Sequence, residues 1–152
     1  MLDGLSRGRE LGLFDLWAYV IVPEHVHLVL WPHRGVGVST ILKSIKQSVA
    51  MRAIRWLEQN DPSYLIKLVE LRPNGNYSHR FWQRGGGYDR NLQTVGDVHE
   101  KIAYVHNNPV RRGLVDKPSQ WRWSSSSAWQ TGVDEPIAID RDSLPVKIEV
   151  VS

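Results

Sequence analysis

The sequence of 152 residues contains no cysteine. Disulfides, thiolate metal sites and a thiol nucleophile are therefore excluded, and any metal chemistry falls to histidine, carboxylate, amide and water ligands. Any nucleophile must be oxygen or nitrogen. The chain also lacks an apolar run approaching the eighteen residues of a membrane span, and its N-terminus lacks the charged-then-apolar pattern of a secretion signal. A cytoplasmic protein without membrane attachment is expected. No internal repeat and no second domain is visible.

What is present is a globular composition, 41% hydrophobic and 23% charged, long enough for one domain with its own core. The net charge of +3 hides an asymmetry. Residues 134–152 hold five acids (Asp134, Glu135, Asp140, Asp142, Glu149) against Arg141 and Lys147, so of 19 basic and 16 acidic residues, 17 and 11 remain before them. That basic body, residues 1–133, suits a polyanionic partner. Residues 134–152 read as an acidic tail whose weak alternation (Ile137, Ile139, then Val146, Ile148, Val150) is that of an edge strand.

Taken in order, residues 1–13 read as the end of a helix. Phe14 to Val22 is rich in aromatic and β-branched residues and reads as a buried strand. Pro23-Glu24 is placed for a tight turn into a second strand, His25 to Trp31, on which His25, His27, Val29 and Trp31 share one face and Val26, Leu28 and Leu30 the other. Pro32, Gly35 and Gly37 form the exit loop. Ser39 is expected to cap a helix running to about Gln59, with Ile41, Leu42, Ile45, Val49, Ala53, Ile54 and Leu57 on its apolar face and Asn60-Asp61-Pro62 stopping it. Tyr64 to Leu71 suits a strand or a short helix, and Phe81 to Arg84 a strand entering the Gly85-Gly86-Gly87 loop. That loop lacks the lysine and serine of a phosphate-binding loop. A further helix is expected from Thr94 or Asp97 to about Asn107, with Asp97 and Glu100 at capping-box spacing and Pro109 as its stop.

Two places carry candidate chemistry. His25 and His27 lie roughly 6.5 to 7 Å apart along one strand face, close enough for two imidazoles to hold one metal ion. Tyr104 and Asn108 stand four residues apart on one helix face. Each also has a plain structural reading: two ordinary histidines at a strand edge, a core tyrosine, and an asparagine closing a helix. His33, His79, His99 and His106 read as surface residues. Lys43 and Lys46, one helical turn apart, suit phosphate contacts or a solvated face. Trp82, Trp121, Trp123 and Trp129 suit either core packing or the stacking of unpaired bases.

Taken together, His25-Val26-His27 on a strand, Phe81-Trp82-Gln83, Tyr88-Asp89, the Tyr104 to Leu114 block with Tyr104-Val-His-Asn-Asn108-Pro109, and Trp121-Arg-Trp-Ser-Ser resemble the single-tyrosine HUH transposases, most closely the REP-associated tyrosine transposases. The resemblance covers Ala18 to about Trp129. It implies an α/β (α+β) ferredoxin-like single domain over residues 1–133, an antiparallel sheet with helices on one face, acting on single-stranded or hairpin DNA as a monomer or homodimer. It further implies that Tyr104 is the catalytic nucleophile, giving a 5′-phosphotyrosine, and that His25, His27 and Asn108 hold Mg²⁺ or Mn²⁺. Lys43, Lys46, Arg84, Arg111 and Arg112 are the expected DNA-binding residues. A tyrosine hydroxyl titrates near pH 10, so a divalent ion on the scissile phosphate makes physical sense of the residue types. The family places a strand and a helix before the histidine hairpin, and the residues before Trp17 are too few for both, so either the start lies upstream or the first strand is lost. The competing readings are a non-catalytic DNA-binding remnant of such a transposase and a small metal-binding protein unrelated to DNA.

Overall fold

The aromatic, β-branched run Phe14–Val22 forms β1, and His25–Pro32 forms β2. The computed structural model describes residues 1–84 and 87–146. The two strands pair antiparallel from Val22 opposite His25, across the expected Pro23-Glu24 turn, to Phe14 opposite Pro32. The register shifts between Leu16 and Ala18, so Trp17 is an extra residue in β1. Because side chains alternate along a strand, one extra residue exchanges the faces of everything beyond it. Phe14 and Leu16 therefore share a face with Tyr19, while Ala18, Val20 and Val22 turn to the other.

Each face has its own core. On the first, Phe14, Leu16 and Tyr19 pack with Leu5 of helix α1 (Leu2–Glu10) and with Ile41 and Ile45 of helix α2 (Val38–Asn60). On the second, Trp17, Ala18, Val20, Val22 and Val29 pack with Val98, Ile102 and Val105 of a later helix. The fold is α+β with antiparallel pairing, as expected, but its helices lie on both faces of the hairpin, not on one. The bulge sorts the apolar run between the two faces, leaving Phe14, Leu16 and Tyr19 on the first and turning Ala18, Val20 and Val22 to the second. No strand precedes β1 among the described residues; α1 occupies that position. A Cβ on Gly8 of α1 would stand 2.5 Å from Phe14 Cε1, so only glycine permits this approach of helix to strand.

Gly37, not Ser39, sits at the N-cap of α2. Beyond Asp61 a short helix α3 (Pro62–Leu65) and a 3₁₀ turn lead to a small hairpin, β3 (Val69–Leu71) with β4 (Tyr77–His79). Phe81 to Arg84 form no strand; the Trp82 indole instead donates to Lys46 O at 2.8 Å, and Gly85-Gly86 lie outside the described residues. Helix α4 spans Val95–Arg111, one turn longer than expected. Its capping box joins Thr94 to Asp97, three residues upstream of the expected pair, and these hydrogen bonds hold the Asp97 carboxyl below its usual range. Pro109 lies inside the helix. A proline there deletes a single backbone bond, and the helix runs on because Arg112 N–H reaches Asn108 O and Leu114 N–H reaches Pro109 O.

The last segment closes the first face. Helix α5 (Ser126–Thr131) contributes Ala128, and Ile137 and Ile139 enter the core. Arg9 forms a two-pronged ion pair with Asp140, whose Oδ2 also accepts from Leu16 N–H at 2.7 Å. Residues 134–146 are thus part of the fold and contain no strand; the rest of the expected edge strand, from Lys147 onward, lies outside the described residues. The outer edge of β1 is covered: Ile21 N–H donates to Trp123 O, Ser125 N–H to Tyr19 O and Asp140 N–H to Leu16 O.

Candidate active site

Helix geometry decides which part of α4 meets the histidines. At 100° per residue, Val98, Ile102, Val105 and Pro109 form one buried stripe. Lys101, Tyr104, Asn108 and Arg112 form the stripe beside it. On β2, His25 and His27 share their face with Val29, which belongs to the core beneath α4. The polar stripe of α4 and the two histidines therefore meet along one border of the second core.

The contacts bear this out. The rings of His25 and His27 lie edge to face with centroids 4.7 Å apart. The Tyr104 ring stands 5.7 Å from that of His27, again edge-on. Tyr104 is 38% exposed, so it is not the core aromatic of the plain reading. One turn further, Asn108 is buried and its Oδ1 has no hydrogen-bond partner. It sits within the helix, whose C-cap is Arg112, so it does not close the helix. A buried carbonyl oxygen without a partner is costly, on the order of 1–3 kcal/mol, and its lone pairs remain free to accept a hydrogen bond or to ligate an ion. At the end of the stripe Arg112 pairs with Glu24 at 2.8 Å. That pair ties the last turn of α4 to the residue next to His25.

Burial, with help from neighbouring His25 and Lys101, pushes the His27 imidazole below its ordinary value. It is accordingly neutral at pH 7, the form that binds a metal. Two imidazole nitrogens and one amide oxygen would make a neutral donor set. Among the described residues no cluster of three His, Asp or Glu exists, so an amide is needed to complete three protein donors. The set fits a divalent ion that keeps its full charge for an anionic substrate, with the amide and water favouring a hard ion.

Two cations flank the tyrosine: Lys101 Nζ lies 4.4 Å and the Arg111 guanidinium 5.0 Å from the Tyr104 ring centroid. Lys101 was not among the residues singled out from the sequence, although its spacing of three from Tyr104 is the signal that places it on the same stripe. Of the expected DNA-binding residues, Arg111 and Arg112 are brought to the site. Lys43 and Lys46 lie on α2, which packs on the opposite face of the hairpin, and Lys46 sits over Trp82 at 5.7 Å. Arg84 is paired with Glu70 beside β3. Nor is His106 a surface residue: its Nε2 lies 2.9 Å from Ser125 Oγ, and burial lowers its pKa to about 4. His33 bridges Asp15 and Gly12 O, and His99 lies 3.0 Å from Pro145 O. Trp121 and Trp129 donate to the backbone of β1, at Ile21 O and Trp17 O.

A Haemophilus influenzae protein named as a REP-associated tyrosine transposase is 24% identical to this chain over 113 residues, covering 74% of the chain and 58% of that protein. The chain thus spans little more than half the length of this curated relative. Among solved structures, a REP-associated tyrosine transposase bound to a REP hairpin superposes with a TM-score of 0.58 at 18% identity, over 97% of this chain and 78% of the other. No family model matches. The resemblance read from the sequence therefore holds in both sequence and fold. No helix among the described residues is long and apolar enough to cross a membrane.

Proposed function

We propose that this chain is a transposase-like enzyme that nicks and rejoins single-stranded DNA through Tyr104. The observation that carries the proposal is the convergence of Tyr104, His27 and His25, with centroid spacings of 5.7 and 4.7 Å, beside the unpartnered amide of Asn108. His25, His27 and Asn108 would hold Mg²⁺ or Mn²⁺. When bound, the ion supplies charge that polarises the scissile phosphate.

The chain's own residues do the remainder. Lys101 and Arg111, on either side of the Tyr104 ring, draw the phosphate towards it and favour the loss of the phenolic proton as the O–P bond forms. Tyr104 Oη attacks phosphorus, the bond to the 3′ oxygen breaks, and that oxygen takes up a proton to leave as a 3′-hydroxyl. The 5′ end stays on Tyr104 as a phosphotyrosine. Attack by an incoming 3′-hydroxyl reverses these steps and restores the phenol, so the bond energy is conserved without a nucleotide cofactor. The packing of Val98, Ile102 and Val105 on the hairpin holds α4 in place while the strand is attached, and the Glu24–Arg112 pair joins its end to the turn.

The test is a covalent adduct between the protein and a hairpin DNA carrying single-stranded flanks, in the presence of Mn²⁺, resolved on a denaturing gel. The parent chain is expected to form it. Tyr104→Phe, which removes only the attacking oxygen, is expected to keep its melting temperature and DNA affinity and to form none. An adduct persisting in the variant would assign the nucleophile elsewhere. A parent that binds the hairpin and forms no adduct is a non-catalytic DNA-binding relative.

A further inference from the structure

Behind the hairpin turn, on the face away from His25 and His27, lies a cleft of about 880 Å³. Its size falls in the ~300–1,000 Å³ range of ligand clefts. Its walls come from α1, α2, the end of β1 and the segment covering that strand's edge, and they carry Trp56, Trp121 and Trp123 together with Ile21 and Pro23. The three tryptophans differ in how they are held. Trp121 is fixed by its indole N–H on Ile21 O at 2.9 Å, whereas Trp56 and Trp123 are 59% and 42% exposed and present their rings to solvent. Two large indoles left open in one concave place are unusual for a surface with no partner.

The charges around them are mainly positive. Arg7 and Arg52 line the cleft, and Arg122 lies over the Trp123 ring at 5.2 Å. Asp3 is the acid among the lining residues, and it is paired with Arg52. Open indoles bordered by guanidinium groups match the chemistry of an unpaired nucleotide, whose base stacks on an aromatic ring while its phosphate meets a cation. A buried protein surface would instead bring apolar side chains and leave the arginines without anions. Position supports the same occupant. Val22 and Pro23 line the cleft, and the next residues are Glu24, paired with Arg112, and His25. A strand lying across the histidine face has only the hairpin turn to pass before it enters this cleft.

We propose that the Trp56–Trp123 cleft is a base-binding subsite for the single-stranded flank of the DNA that the histidine face engages. The subsite rests on the DNA-processing reading above, yet it binds bases without a metal and without Tyr104. It selects unpaired over duplex DNA, since only an unstacked base can lay its face on these rings.

The test uses the full chain carrying Tyr104→Phe, so that no covalent product forms, with metal chelated. Binding of an eight-residue oligothymidylate and of a blunt hairpin is measured by fluorescence anisotropy for this protein and for the same protein with Trp56→Ala and Trp123→Ala. Both tryptophans are exposed, so both variants should fold, which a melting curve checks. The expected result is at least a tenfold loss of oligothymidylate affinity in the double variant, from the roughly 1–3 kcal/mol that each base stack contributes, with hairpin affinity within twofold. Equal oligothymidylate affinity, or no binding by the parent, overturns the subsite. A double variant that changes its sedimentation instead of its DNA affinity overturns it in favour of an interface between copies. Failure of the adduct assay with a tenfold effect here would overturn the catalytic reading alone.

Discussion

The two faces of one hairpin are finished in different ways. The apolar part of the first face is sealed: Leu5, Phe14, Leu16, Tyr19, Ile41 and Ile45 are all at most 2% exposed, the Asp140 carboxylate at its rim is paired, and the Tyr19 hydroxyl is buried within it without a partner. The second is sealed along the middle of α4 and left unfinished along one side, where an amide oxygen is buried without a partner and a tyrosine ring lies open between two cations. A core that is only structural tends to satisfy every polar group it buries. Each face nonetheless buries one polar atom without a partner, Tyr19 Oη in the first and Asn108 Oδ1 in the second, and the second differs in that its orphan lies one helical turn from a tyrosine ring open between two cations.

The comparison can be broken most severely from the sealed side. Ending the chain after Val133 removes Ile137, Ile139 and the Asp140 contacts, and each deleted isoleucine alone is worth about 2–5 kcal/mol against a total of about 5–15. The shortened protein is expected to lose its cooperative thermal transition, followed by circular dichroism. A native-like melt would show that the two faces hold together without the last segment.

A smaller effect comes from pH. His106 is neutral in the fold, with a pKa of about 4 against an ordinary 6.5, so the unfolded chain takes up the proton first as pH falls. Its penalty is absent above pH 6.5, grows below it and levels off near pH 4. Between pH 7.5 and 5 the fold should lose on the order of 2 kcal/mol. His106→Gln should flatten that part of a urea-midpoint profile, and an equally steep profile would assign the loss to other groups.

The smallest change in stability is expected at the unfinished border. Replacing both His25 and His27 by alanine should shift the melting temperature of the metal-free protein by only a few degrees, because these side chains are half-buried and pair with no carboxylate. The same substitution should abolish any rise in melting temperature caused by millimolar Mn²⁺. A rise that persists would move the metal site away from this hairpin.

Much of this arrangement was legible because it follows from period. The alternation in His25 to Trp31 placed both imidazoles on one face, and the spacing of four between Tyr104 and Asn108 placed them on one stripe. What could not be read depended on contacts distant in the chain. The bulge at Trp17 is visible only once β2 is laid beside β1, so which residues of β1 enter which core was not foreseeable from β1 alone. Pro109 was read as a stop by its local steric rule, whereas the helix continues because Asn108 and Val110 supply carbonyls for the turn beyond it. Ile137 and Ile139 look like a weak edge strand in isolation and are core residues only because α1, α2 and β1 leave a place for them. His106 was read as exposed for the same reason, since its partner, Ser125, lies in a segment with no periodicity of its own.

The order in which residues leave the ribosome gives the closing segment a further meaning. Domains begin to form while synthesis continues, at ~5–20 residues per second. The buried residues of the second core run from Trp17 to Val105, and those of the first from Leu5 to Ile139. The fully buried residues of the face that carries the histidines and Tyr104 are thus synthesised before the last ones of the face that supports it, with Trp121, Trp129 and Leu144 packing against the second core afterwards. Until residues 137–140 have emerged, α1, α2 and β1 leave apolar surface that these residues would cover, and a nascent chain in this state is open to chaperones and to aggregation. Emergence of Ile137, Ile139 and Asp140 ends that exposure, which makes residues 137–140 the latch of the first core.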